Sequence, residues 1–320
     1  MRVGDLGEFG AVGRISGRLP QGAAVLLGPG DDAAVVGAPD GRVVVSTDLL
    51  IEGRHFRRDW SSGYDVGRKA AAQNLADVAA MGAVPTCLVV GLGMPADLPV
   101  AWLDALTDGF RDECAEVGAS VAGGDVTGCD LLVLGVTALG DLGGGAPVTR
   151  AGARPGQVVA VAGRLGHAAA GLALLEAGLR EEVPAWEGTA LGAAVAAHRR
   201  PLPPYRCGPE AARLGAGAML DVSDGLLQDL GHVAKASGVR VELDPAAFTV
   251  GEPVAAAAKE LGADPLDWVL TGGEDHALAA TFPPEVVLPS SWQVVGRVVT
   301  GEGVYVPGRS AVRGGWDHFR

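Results

Sequence analysis

Short runs of β-branched and apolar residues alternate with longer Ala- and Leu-rich stretches along the first half of this 320-residue chain. That alternation restricts it to a mixed α/β architecture more firmly than any other feature. The strand-like runs are Ala23 to Leu27, Arg42 to Ser46, Cys87 to Leu92, Ser120 to Ala122 and Leu131 to Leu139. The clearest helix extends from about Asp65 to Met81, with Val66, Ala70, Val78 and Met81 on or near one face. On another face Lys69, Gln73 and Asp77 recur every four residues; Lys69 and Gln73 read as ordinary solvated surface, while Asn74 shares a side with Asp77. A Gly/Pro cluster from Asp141 to Pro147, continuing through Arg150 to Gly156, marks a boundary. The expectation is an N-terminal domain over 1–140, a linker over 141–156 and a C-terminal α/β domain over 157–320, in keeping with a length-based prior of about two domains. The second half opens with a strand, Gln157 to Ala162, and a helix, His167 to Ala177, and then passes through a proline-rich loop at Pro201 to Pro204. After Gly225 a helix follows whose Leu226, Leu227, Leu230, Val233 and Ala234 form a buried stripe, with Ser223 or Asp224 as its expected cap.

Hydrophobic residues make up 48% of the chain, enough for a sizeable core. A net charge of −13 argues against a nucleic-acid or anionic-membrane surface. The densest basic clusters, Arg54 to Arg58 and His198 to Arg200, read as solvated surface. Cysteines 87, 114, 129 and 207 form no CxxC pair, which favours reduced, mostly buried thiols and a cytoplasmic setting. Acids at Asp5 and Glu8 occupy the place of a signal peptide's apolar core, and no segment offers about 18 uninterrupted apolar residues. The chain is therefore expected to be neither exported nor membrane-spanning.

Five acidic stretches end apolar runs: Gly30-Asp31-Asp32, Ser46-Thr47-Asp48, Asn74-Leu75-Ala76-Asp77, Gly123-Gly124-Asp125 and Asp221-Val222-Ser223-Asp224. Two carboxylates roughly 4 Å apart repel by about 4 kcal/mol at an effective dielectric of 20, so converging acids require a cation. The donors are hard oxygens, which suit magnesium rather than zinc or copper, and magnesium in turn suggests phosphate. Familiar phosphate loops are excluded. The three lysines, 69, 235 and 259, never follow a glycine as a Walker A loop requires, and neither a protein-kinase catalytic loop nor a dinucleotide fingerprint occurs. Glycines 28, 30, 123, 124, 272 and 273 nevertheless let backbone approach a polyphosphate closely.

Gly28-Pro29-Gly30-Asp31-Asp32-Ala33-Ala34-Val35, Ser46 through Phe56, Asn74 through Ala83, Asp221-Val222-Ser223-Asp224-Gly225-Leu226 and Gly272-Gly273-Glu274-Asp275 resemble, in order, the motifs of the thiamine-monophosphate kinase family. The resemblance spans nearly the whole chain. The wider superfamily, that of aminoimidazole ribonucleotide synthetase, implies a two-domain α/β fold that binds ATP in, and dimerises through, its N-terminal domain. Carried over by position, the resemblance implies that Asp32, Ser46, Thr47, Asp48, Asp77, Asp125, Asp221 and Asp224 ligate several Mg2+ ions. It implies that Gly124, Asp125, Arg150 and Ser223 contact ATP, and that His55, Glu274 and Trp316 contact thiamine monophosphate. Asp48, Asp125 and Arg150 are then the expected catalytic set. Three positions depart from the family pattern: Ala76 for serine, Val126 for threonine and His276 for tyrosine.

The implied reaction fits the residue types. The acceptor phosphate is already ionised near neutral pH, so charge neutralisation and in-line positioning matter more than a general base. Related activities fit less well. The selenophosphate synthetase pattern needs a reactive cysteine near the N-terminus, where the first cysteine here is Cys87, and the hydrogenase-maturation pattern needs a C-terminal cysteine, where this sequence reads His318-Phe319-Arg320. A non-catalytic nucleotide or metal sensor is the other alternative, against which the full set of carboxylates and Glu274 speaks.

Overall fold

The computed structural model describes residues 1–29, 33–179 and 185–309. The chain divides into two compact units, Met1–Val78 with Ala83–Gly144, and Ala79–Gly82 with Gly145–Arg320. Among the described residues no helix is long and apolar enough to cross a membrane.

In the first unit the order is α1 (Val3–Ser16), β1 (Val25–Leu27), β2 (Val35–Val36), β3 (Val44–Ile51), α2 (Gly63–Ala80), β4 (Val84–Met94), α3 (Val100–Val117), β5 (Ser120–Gly128) and β6 (Val133–Asp141). Four strands form a sheet in the order β3-β6-β4-β5, antiparallel except for the β4–β5 pair. β3 and β5 extend beyond the expected 42–46 and 120–122 and run through their acidic motifs. The β3–β6 ladder continues residue by residue from Val44↔Gly140 to Ile51↔Val133, and β5 stays paired with β4 as far as Gly128↔Met94. Both are edge strands, and an edge strand accommodates polar residues because one flank has no neighbour.

Strand alternation gives this sheet two faces. Leu50, Leu134, Val136, Ala138, Leu88 and Leu92 are buried on one. Val45, Leu49 and Val89 are exposed on the other. The core-facing stripe of α3 comprises Val100, Leu103, Leu106, Phe110 and Cys114, while α2 is buried along most of its circumference, as its many alanines allow. These two helices touch backbone to backbone. A Cβ on Gly67 would lie 2.1 Å from the Leu106 carbonyl oxygen, and one on Gly109 would lie 2.3 Å from that of Tyr64. Arg68–Glu113 ties the same pair, and Arg18–Asp108 at 2.8 Å ties the segment just after α1 to α3.

The second unit contains β7 (Val158–Ala162), α4 (His167–Glu176), α5 (Ala190–Arg199), α6 (Cys207–Arg213), β8 (Ala218–Val222), α7 (Leu226–Ser237), β9 (Arg240–Leu243), α8 (Glu252–Leu261), α9 (Pro265–Thr271), β10 (Ala277–Phe282), β11 (Trp292–Val299) and β12 (Gly303–Tyr305). Its six-stranded sheet runs β12-β9-β11-β7-β10-β8, with only the β12–β9 pair parallel. One core packs Val159, Val161, Leu220 and Val222 with Leu226, Leu230 and Val233 of α7. On the opposite side Ala160, Met219, Leu278, Phe282 and Trp292 pack with Cys207 and Ala211 of α6. The helical stripe expected after Gly225 is thus buried as α7.

The glycine contact between α2 and α3 yields a stability test. Alanine is favoured over glycine in a helix interior by about 1 kcal/mol. A methyl group at 2.1 Å from a backbone oxygen forces the helices apart, and such overpacking costs about 1–3 kcal/mol. Gly67→Ala is therefore expected to lower the urea unfolding midpoint, and an unchanged or raised midpoint would contradict this packing.

Candidate active site

On β3, residues 46, 48 and 50 turn toward the covered face and 45, 47 and 49 toward the open one. Ser46 and Asp48 thereby meet α2. Ser46 Oγ donates to Asp77 Oδ2 at 2.6 Å, Gln73 Nε2 donates to Asp48 Oδ2 at 3.2 Å, and the Asp48 amide donates to Asn74 Oδ1 at 3.2 Å. Asn74 is fully buried and also donates to Ala70 O at 2.9 Å. Gln73, Asn74 and Asp77 lie within one helical turn, so a single face of α2 meets the strand. The expected solvated stripe is therefore corrected. Lys69 is buried and donates to the His55 carbonyl at 3.2 Å, and Gln73 serves Asp48, because the edge strand and the turn that follows it supply partners.

Thr47 lies on the other face. Its hydroxyl donates to Val136 O at 3.0 Å and sits 3.0 Å from Thr137 Oγ1. His55 belongs to the turn after β3, where Nδ1 accepts from the Ile51 amide at 3.1 Å. That bond makes Nδ1 the acceptor and assigns the hydrogen of the neutral ring to Nε2.

Gly124 and Asp125 occupy the far edge of the same sheet. Three strand spacings separate β3 from β5, about 14 Å at the usual 4.8 Å per strand. Asp48 and Asp125 thus lie at two places within this unit. Asp125 and Gly124 line an open cleft walled by Val12, Ile15, Leu92, Leu106, Phe110 and Val126. The walls are apolar, with Asp125 at the cleft's lining.

In the second unit, two motifs some fifty residues apart are joined through their backbones. The Glu274 amide donates to Ser223 O at 2.9 Å and the His276 amide to Val222 O at 3.1 Å. A Cβ on Gly273 would lie 2.1 Å from Ser223 O, so glycine is required for this approach. Glu274 and His276 adopt left-handed conformations, φ 65° and 52°, each costing about 1–2 kcal/mol. Asp221, at the end of β8, is buried with Oδ2 3.0 Å from His276 Nδ1. Asp224 Oδ2 accepts from Gln228 at 3.1 Å.

Neither Ser223 nor Asp224 caps α7. Asp229 reaches back instead, its Oδ2 accepting the amides of Asp224 at 3.1 Å and Gly225 at 3.0 Å. Both amides precede Leu226, the first residue of α7, so Asp229 fixes the entry of the chain into the helix. Burial, with repulsion from Asp221 and Asp224, pushes the Asp229 carboxyl up to about 7.

Glu274 Oε2 lies 3.3 Å from Nδ1 of His198, an ion-pair approach rather than an aligned hydrogen bond. His198 was expected at the surface, yet it is buried on α5 together with Ala194, Val195 and Ala197. The i, i+1, i+3, i+4 spacing of these four was the available signal. Asp275 is 2% exposed; its Oδ1 accepts the Ala168 amide at 3.0 Å at the start of α4, and its Oδ2 has no hydrogen-bond partner among the described residues. Burial, opposed by the pull of Arg164, raises its carboxyl to about 7. Arg150 is exposed, its carbonyl accepting from Ser237 Oγ at 2.8 Å. Asp32 and Trp316 lie outside the described residues.

Among the described residues no three His, Cys, Asp or Glu side chains gather as a metal-binding group. The oxygen-only donors at β3–α2 and at the β5 edge still fit magnesium. That ion keeps several waters and binds through one or two carboxylates together with substrate phosphates.

A family model described as AIR synthase related protein, N-terminal domain, matches residues 30–142. The thiamine-monophosphate kinase of Mycobacterium tuberculosis is 50% identical, over 98% of this chain and 92% of its own length. Among solved structures, thiamine-monophosphate kinase from Stenotrophomonas maltophilia K279a superposes with a TM-score of 0.83 at 33% identity, covering 94% of this chain and 97% of that one. A chain described as AaThiL complexed with AMPPCP and TMP superposes with a TM-score of 0.80 at 30% identity, covering 100% and 99%.

The Asp275 carboxyl gives a pH-dependent test. Raised from 3.8 to about 7 in the fold, it contributes stability that is complete below pH about 4 and is lost as pH rises through about 7. Asp275→Asn keeps Oδ1 for the Ala168 amide and removes the charge. The variant is expected to gain on the parent as pH rises across that window, by on the order of a few kcal/mol. Urea unfolding at about pH 5 and about pH 7.5 measures this, and a difference that does not change with pH contradicts it.

Proposed function

We propose a reaction from the premise that this chain belongs to the thiamine-monophosphate kinase family: it transfers the γ-phosphoryl group of ATP to the phosphate of thiamine monophosphate, forming thiamine diphosphate. The observation that carries this reading is the near-full-length likeness to relatives of that name at 33–50% identity. The AMPPCP and TMP of the similar structure are taken to stand for ATP and thiamine monophosphate.

In this reading the bond from the γ-phosphorus to the β–γ bridging oxygen breaks, and a new bond forms from that phosphorus to an acceptor phosphate oxygen. The acceptor's second phosphate ionisation lies near 6, so no side chain has to remove a proton. We assign ATP to the β5 edge, its base to the apolar cleft and its phosphates to Gly124 and Asp125; Arg150 and Ser223 are assigned to ATP by sequence position. Arginine suits this role because its planar fork makes paired, charged hydrogen bonds to phosphate. On the acceptor side we assign His55, with Nε2 as its donor, and Glu274, whose carboxylate accepts from the aminopyrimidine; Trp316 is assigned by sequence position.

Magnesium ions would be held by Ser46, Asp48 and Asp77, by Asp125, and by Asp221 and Asp224, with Asp32 assigned by sequence position; when bound they supply charge neutralisation for the phosphates. Thr47 turns its hydroxyl to the open sheet face, so its contribution there is through the main chain. Gln73 and Asn74 orient Asp48 before any ligand arrives. We assign direct transfer without a phosphoenzyme, because the acceptor phosphate oxygen is itself ionised and can attack the γ-phosphorus. The cytoplasm is the compartment this reading implies.

We further assign a homodimer joined through the open face of the first unit's sheet, where Val45 is 64% and Leu49 58% exposed beside Val89. Light scattering is expected to give about twice the chain mass, and Leu49→Lys is expected to shift it toward monomer. A monomeric parent protein would remove this assignment.

The reaction itself is tested by a magnesium-dependent assay that offers thiamine monophosphate, thiamine or no acceptor, with products identified by mass. Thiamine diphosphate is expected from the monophosphate alone. Asp48→Asn and Asp125→Asn are each expected to lower kcat by about a hundredfold or more with unchanged circular dichroism. Near-parental turnover in either variant would sink its proposed role.

A further inference from the structure

We propose that His276 is a positioning residue for the metal site of the second unit: it donates from Nδ1 to Asp221 Oδ2 and leaves Oδ1 as the one oxygen that Asp221 offers to magnesium. The inference rests on the metal role assigned to Asp221 above.

The bond joins two buried groups. Nδ1 of His276 lies 3.0 Å from Asp221 Oδ2, with the His276 side chain 8% and the Asp221 side chain 6% exposed. A carboxylate that ligates a metal is ionised and only accepts, so the hydrogen in this contact is carried by Nδ1. A carboxylate buried to this degree needs such a donor. Its surroundings sharpen the need, because Asp229 is repelled by Asp221 as well as by Asp224.

The backbone brings the imidazole to that place. In the β8–β10 ladder Asp221 stands opposite Leu278 and Val222 opposite Ala277, so His276, two residues before Leu278, is the diagonal neighbour of Asp221. The His276 amide donates to Val222 O at 3.1 Å, and its φ of 52° lies in the left-handed region, where histidine is enriched. The two segments also meet at glycines: a Cβ on Gly225 would lie 2.4 Å from Thr271 O, and one on Gly273 2.1 Å from Ser223 O. Main-chain contacts on both sides thus set the distance between the two side chains. The family pattern has tyrosine at this position, with its hydroxyl at the far end of a longer side chain, so a donor at the place of Nδ1 belongs to this chain rather than to that pattern.

An oxygen already engaged by a donor is a poorer metal ligand, so the bond favours coordination through one oxygen. Magnesium suits that arrangement, since its octahedral shell takes single oxygens at about 2.0–2.1 Å. Calcium takes about 6–8 oxygens and accepts carboxylates through one oxygen or both. His276 therefore bears on the choice of cation as well as on affinity. Without its donor, Asp221 is released to grip an ion with both oxygens, which suits calcium better than magnesium.

The test measures binding of Mn2+ to the full chain with saturating AMPPCP, from the electron paramagnetic resonance signal of free Mn2+, followed by displacement with Mg2+ and with Ca2+. The parent, Asp221→Asn, His276→Leu, His276→Asn and the double variant Asp221→Asn/His276→Leu are compared. Taken within one preparation, the ratio of Mg2+ to Ca2+ affinity is insensitive to the amount of folded protein. His276→Leu is expected to weaken Mg2+ binding about tenfold and Ca2+ binding by less than about twofold, so that the preference for Mg2+ falls about fivefold or more. His276→Asn, which retains a donor near the position of Nδ1 and tolerates the left-handed backbone, is expected to keep most of the preference. The double variant is expected to lose no more than Asp221→Asn alone.

If Asp221→Asn weakens Mn2+ binding but His276→Leu leaves both the affinity and the preference unchanged, the metal role of Asp221 stands and this proposal falls. If Asp221→Asn leaves Mn2+ binding unchanged, the metal role falls and takes this proposal with it. Equal weakening of Mg2+ and Ca2+, or additive losses in the double variant, also overturns it by assigning His276 a general structural role. Should His276→Leu fail to fold, His276→Gly removes the donor and leaves the left-handed backbone unstrained, and it is expected to show the same fall in preference; retention of the parental preference there counts against the proposal.

Discussion

Direct contact of backbone on backbone sets the spacing on which the rest of this molecule depends. Where α2 meets α3, the separation is that of a helix surface without side chains, which draws α2 into the layer and presents its polar face to β3. Where the 222–225 segment meets the 272–276 turn, the same closeness lets carbonyls 222 and 223 accept amides 276 and 274 directly. A larger side chain at either contact would change the distance by more than a hydrogen bond tolerates.

Once those distances are fixed, buried polar groups are matched locally. Asn74 and Gln73 meet the strand through Asp48, Lys69 meets a main-chain carbonyl, Asp275 accepts an amide at the start of α4, and Asp229 accepts the two amides just ahead of α7. The matching is incomplete for the acids. Asp229 and Asp275 sit in surroundings that favour their neutral forms, the first through burial and acidic neighbours, the second through burial alone. Acids held in this way concentrate in the second unit beside the residues assigned to the acceptor and metals, a distribution typical of sites that handle charge.

The two edge strands account for how the first unit carries its acids. Edge position lets β3 and β5 bear Asp48 and Asp125 without burying either among neighbouring strands. It also separates them by about the width of the sheet, roughly 14 Å. A single magnesium ion, with ligands about 2 Å away, cannot be held by both carboxylates across that distance.

By itself the sequence determined the mixed α/β class, the positions of α2, β7, α4 and α7 to within a few residues, and the family, because periodicity and ordered motifs are local properties of the chain. It also pointed to oxygen-donor chemistry, since residue type alone limits which metals fit. Only the tertiary structure decided that Gln73 meets a strand and Lys69 a turn carbonyl rather than water, that His198 is buried against Glu274, and that Asp229 rather than Ser223 or Asp224 holds the amides just ahead of α7. Each of these depends on a partner brought close by folding, and a polar residue on a helix looks the same in sequence whether its partner is water or another part of the chain. The reach of β3 and β5 through their acids was hidden for a related reason: a strand ends where its ladder ends, and the ladder belongs to the neighbouring strand.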